Sequence, residues 1–160
     1  MKELKRRHAL LGAACAAVAT GVAAALVLIF SGDSNAAPTK AEYLAQVAAI
    51  CSAYGPKLDR IQPPDVAEPA NVVEAVGLVL PLLKAQMREV RALRQPEELR
   101  AGLTRWFDLH DRRLRKLEEA DKAGREADFR TMSVAYVDFL LAAPKTAQLS
   151  KAIGIPHPPC

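Results

Sequence analysis

The segment TKAEYLAQVAAICSAYGPKLDRI, residues 39–61, carries Leu44, Val47, Cys51, Tyr54, Leu58 and Ile61 at steps of three and four. That spacing puts all six on one stripe of an α-helix. Thr39, followed three residues on by Glu42, is a capping-box pattern: each side chain can satisfy a backbone amide left free at the helix start. Gly55-Pro56 should kink or shorten the helix, because proline removes one internal hydrogen bond and crowds the preceding turn. Cys51 sits upstream of that break, in the middle of the stripe.

Downstream, Gln62-Pro63-Pro64-Asp65 is a stiff connection, and Pro69 opens a second helix to about Arg94. Val72, Val73, Val76, Val79, Leu80, Leu82, Leu83, Met87, Val90 and Leu93 give it an apolar face about half the circumference wide. Pro81, four residues after Gly77, either bends this helix or divides it. Pro96-Glu97-Glu98 starts a third, with acids near the positive end of its dipole. Leu99, Leu103, Trp106, His110, Leu114 and Leu117 form its inner side. On its outer side Asp108–Arg112, Asp111–Arg115 and Arg115–Glu119 are i,i+4 pairs, so the run Arg112, Arg113, Arg115, Lys116 reads as a locally neutralised, solvated face.

Gly124 suits the end of the third helix, and Glu126 to Asp128 begin a fourth, with Phe129, Met132, Tyr136, Phe139, Leu140 and Ala143 facing inward. Pro144 bends it, Gly154 ends it, and Ile155-Pro156-His157-Pro158-Pro159 forms an extended arm leading to Cys160. Scarce aromatics, abundant alanine and 160 residues predict one all-α domain, a four-helix bundle over residues 39–160.

Upstream of the bundle, residues 9–30 hold no charge and are long enough to cross a hydrocarbon core of about 30 Å. Lys2, Lys5, Arg6 and Arg7 against Glu3 give the tail, residues 1–8, most of the net charge of +4. The basic excess is therefore a topology signal rather than a phosphate-binding footprint, and no nucleic-acid partner is expected. The chain reads as a single-pass membrane protein: residues 1–8 cytoplasmic, 9–30 a transmembrane anchor in the bilayer, 31–38 a linker, and the bundle extracytoplasmic. Small residues at Ser34-Asn35-Ala36 leave open a secreted form cleaved near Ala36, but the apolar run exceeds the roughly 7–15 residues of a signal peptide. Cys15 lacks a lipobox, with Gly12 where leucine is wanted, and reads as a small residue within the membrane helix.

With Cys15 set aside, Cys51 and Cys160 form an even pair outside the membrane, where thiols oxidise. A bond between them closes a loop of about 110 residues, worth about 4–5 kcal/mol by chain entropy. A metal site from Cys51, His157 and Cys160 is the alternative, carried only by one His-x-x-Cys spacing. His110, one turn after Trp106, could be a haem ligand or general base, yet no second group is placed to converge on it, and a structural histidine is the plainer reading. Tyr43 and Tyr54 read as packing residues with exposed hydroxyls. No phosphate loop, nucleophile elbow or paired metal motif occurs, so no catalytic residues, metal or cofactor are expected.

The whole layout, with Ala41-Glu42-Tyr43-Leu44-Ala45-Gln46-Val47-Ala48-Ala49-Ile50-Cys51 opening the domain and Ile153-Gly154-Ile155 before a terminal cysteine, is similar to small, uncharacterised, membrane-anchored or secreted helical proteins of high-GC bacterial cell envelopes. The resemblance implies a helical bundle and a first-helix cysteine paired with the C-terminal one. It implies no activity, and the proline-rich stretch before Cys160 departs from its pattern. The expectation is a non-catalytic interaction module of the cell envelope, offering the second helix's wide face or the charged third helix to an unknown envelope protein. The alternative is a bundle that binds a small apolar ligand or haem beside Trp106, His110 and Met87.

Overall fold

The computed structural model describes residues 37–155. The expected anchor, residues 9–30, and Cys160, the expected partner of Cys51, lie outside them. Five helices follow in order: α1 Lys40–Leu58, α2 Pro69–Ala92, α3 Arg100–Arg125, α4 Phe129–Leu141 and α5 Ala143–Ile153, with a 3-10 turn at Glu97–Leu99 before α3. No strand occurs among the described residues, so the all-α expectation holds.

The capping box forms as its pattern predicts: Glu42 N–H donates to Thr39 Oγ1 at 3.3 Å and Thr39 N–H donates to Glu42 Oε2 at 2.8 Å. Helix α1 nevertheless runs through Gly55-Pro56 to Leu58. Pro56 lies in the last turn, where the hydrogen bond it removes is the only loss and no further turn has to be continued. Pro81 likewise sits inside a continuous α2 on its exposed side, so the division into two shorter helices does not occur.

The fourth predicted stretch is broken at Ala142 rather than merely bent. Pro144, near the start of α5, needs no N–H there, and so suits a new helix better than the middle of an old one. Asp128 caps α4, its Oδ1 accepting from Thr131 N–H at 3.1 Å.

Two long helices form the centre. Arg91 meets Asp111 at 2.6 Å and Lys84 meets Glu118 at 2.5 Å, a descending register that makes α2 and α3 antiparallel. Helix α4 runs back along the second half of α3, where Lys116 reaches Asp138 at 3.4 Å. Helix α5 runs along the first half, where Trp106 reaches Ser150. A Cβ at Gly102 would stand 2.6 Å from Ile153 Cγ2, so glycine permits that close approach.

The core follows the same division. One cluster, of Tyr43, Val47, Met87, Val90, Leu99, Leu103, Trp106, Phe107, Ile153 and Ile155, joins α1, α5 and the near ends of α2 and α3. A second, including Val72, Val76, Leu80, Leu117, Met132 and Phe139, joins α4 to the far ends. Leu114 packs against both. By length and composition α2 could cross a membrane, the one such helix among the described residues. Its buried Val72, Val76, Leu80, Met87 and Val90 make it the core helix of this bundle.

Several side-chain expectations change. Phe129 and Leu140, expected inside, are exposed, and Ala135 is buried instead, because α3 lies close enough that a small residue fills the contact. None of the three i,i+4 pairs expected on α3 forms among the described residues. Asp111 turns instead to Arg91 on the neighbouring α2, and Glu119 pairs with Lys116 one turn back on α3 itself. The hydroxyl of Tyr43 is buried, not exposed: the ring is the fully covered member of the pair Tyr43, Leu44, and burial pushes its pKa up to about 12.

Candidate ligand cleft

Where the two core clusters meet, the helices leave a cleft of about 290 Å³. Its walls are Leu58 at the end of α1, Val79, Leu83, Gln86 and Met87 of α2, His110, Arg113 and Leu114 of α3, and Phe139 of α4. The cleft exists because α1 stops at Leu58 and α4 begins its cover further along the α2–α3 pair.

Three polar residues share this apolar enclosure. Gln86 is 1% exposed and its Oε1 has no hydrogen-bond partner. His110 is 5% exposed and its Nε2 has none either. A buried polar atom left unpaired costs about 1–3 kcal/mol, and both of these atoms are closed to solvent behind the cleft wall rather than open to the cleft. Burial, helped by the charge of Arg113, pulls the His110 pKa down to about 3, with Asp111 opposing, so the imidazole is neutral at ordinary pH. Its ring lies 4.2 Å from that of Trp106.

Arg113 is half-buried. Its Nε donates to the Phe139 carbonyl oxygen at 3.4 Å and its guanidinium sits 4.6 Å from the centre of the Phe139 ring. No carboxylate among the described residues pairs with it. The reading of Arg113 as part of a neutralised, solvated run is thereby corrected.

Of the residues expected at a ligand site, Met87 and His110 line the cleft. Trp106 does not: it is fully buried against His110 and donates its Nε1–H to Ser150 Oγ at 2.8 Å. Gln86 and Arg113 were not anticipated. The signal for Gln86 was available, because at three and four residues from Leu83 and Val90 it is a polar residue on an apolar face. A cleft of this size, at the lower edge of the roughly 300–1,000 Å³ typical of ligand pockets, does not enclose a porphyrin. Among the described residues no three His, Cys, Asp or Glu side chains gather as a metal set.

A separate feature is the outer face of α4. Phe129, Val134, Val137, Leu140 and Leu141 are all exposed, Leu141 by 72%, and at 100° per residue they fall within about 140° of arc. The largest group of exposed apolar side chains among the described residues thus belongs to α4, with Ser133 and Arg130 also exposed inside the same arc. On α2, where one was expected, only Leu78 among the large apolar residues is strongly exposed. Cys51 is half-buried against the first core cluster, and its sulfur is engaged rather than free. No family model, curated protein or solved structure matches the chain.

Proposed function

We propose that this chain is a non-catalytic interaction module of the cell envelope, anchored by residues 9–30 with its N-terminus cytoplasmic and its helical bundle outside. The observation that carries the reading is the outer face of α4. Five large apolar side chains stand in one row where folding alone would place polar residues, and a row of that kind is stabilised when a partner covers it. The partner is a protein that lays an apolar helix or strand along α4, and Arg130, exposed within the row, supplies one point of polar selection.

The compartment rests on a bond between Cys51 and Cys160. Gly154 packs against Leu44 and Lys40 of α1, so the end of α5 already lies beside the first helix. Cys51 is seven residues beyond Leu44, about 10 Å along the axis, and the five residues after Ile155 can reach about 17 Å. The engaged sulfur of Cys51 supports the same pairing.

Two measurements test these claims. A photo-crosslinking residue replacing Val137 in the anchored chain should trap one protein of discrete mass, and Val134→Asp with Leu141→Asp should abolish the adduct. Absence of any adduct at Val137 removes the docking face. Peptide mapping of the native protein should show Cys51 and Cys160 alkylated only after reduction. Alkylation of both without reduction removes the clasp, and loss of residues through Ala36 selects the secreted form.

A further inference from the structure

We propose that the cleft between α2, α3 and α4 binds a short aliphatic monocarboxylate, its chain against Val79, Leu83, Leu114 and Phe139 and its head group at Arg113. This site is independent of the α4 face, and either can fail without the other.

Charge comes first. A half-buried guanidinium without a carboxylate partner among the described residues is costly, and an anionic ligand would supply the missing counter-charge with charge-assisted hydrogen bonds. The Phe139 carbonyl and ring occupy one edge of the fork, leaving its other donors for a carboxylate.

The guanidinium also sets the kind of head group. A cation gains nothing here, because Arg113 repels it, and a neutral alcohol leaves the guanidinium without a counter-charge. The unpaired atoms of Gln86 and His110 are closed to solvent and take no part in holding the head group.

The remaining walls select the tail. Leu58, Val79, Leu83, Met87, Leu114 and Phe139 offer only apolar surface, and about 290 Å³ holds a chain of about eight carbons with its carboxylate. The ligand class is therefore a medium-chain fatty acid or an acid of similar shape.

Trp106, the sole tryptophan of the chain, packs on His110 and reports occupancy of the cleft by its fluorescence. The full chain in zwitterionic nanodiscs is titrated with octanoate, octanol and octylammonium, with protein-free discs as the blank. Octanoate should give a saturable change in the millimolar range or below, and octanol should bind at least about tenfold more weakly, the loss of one charge-assisted hydrogen bond. Arg113→Gln should reduce octanoate affinity by about tenfold or more and bring octanoate and octanol together. Equal affinity for octanoate and octanol in the unaltered protein overturns the proposal without recourse to any variant. So does a non-saturable octanoate response, or a folded Arg113→Gln protein with undiminished affinity.

Discussion

Trp106 Nε1 donates to Ser150 Oγ at 2.8 Å, and that hydroxyl in turn donates to the Thr146 carbonyl at 3.0 Å, all within the bundle interior. The bond ties α3 to α5 across 44 residues of sequence and leaves the largest side chain of the core with no unmet polar atom. Ser150→Ala should therefore destabilise the fold by about 1–3 kcal/mol, since the indole N–H would remain buried and unpaired. A denaturant midpoint equal to that of the unaltered protein would contradict this pairing.

Tyr43 presents the opposite case. Its hydroxyl is buried with no partner, so Tyr43→Phe removes a desolvated polar atom while keeping the ring. The variant should be as stable as the parent or more stable by up to about 1 kcal/mol. Thermal unfolding would check it, and a clear loss of stability would mean that the hydroxyl is satisfied in solution.

Gly154 closes α5 with φ of +88°, and a Cβ there would lie 3.2 Å from Leu44 Cδ1. Gly154→Ala should cost about 1–2 kcal/mol from the left-handed backbone alone. Gly77→Ala makes the comparison, because nothing lies within 4 Å of a Cβ at that exposed helical site. There alanine should stabilise by up to about 1 kcal/mol.

His110 predicts the acid behaviour. Its pKa falls from the ordinary 6.5 to about 3 in the folded chain, so between those values the unfolded state holds the extra proton. Stability attributable to this residue is present above pH 6.5 and is lost as the pH falls toward 3, by about 3–5 kcal/mol in all. His110→Phe should flatten that part of the stability profile. An imidazole resonance titrating near 6.5 in the folded protein would rule the effect out.

Periodicity carried most of the fold. The apolar rows of α2 and α3 and the cap at Thr39 were legible because a helix repeats every 3.6 residues and its end needs an acceptor. What it missed depends on neighbours. Whether Phe129 is covered or bare is decided by how far α3 reaches, and whether Asp111 prefers Arg115 or Arg91 by which helix lies across from it. The cleft was half legible, since His110 and Met87 could be named from their helix faces. Gln86 and Arg113 could not be joined to them without knowing that α2, α3 and α4 meet there.

The interruption at Ala142 has a mechanical consequence. A single continuous helix along α3 would have to leave as one body, whereas two short ones each hold only half of it and share few links with one another. Amide exchange should then sort the molecule into two cooperative units of unequal protection, one led by α4 and one by α5. Fluctuation at one end would uncover its own half of the interior while the other half stays closed.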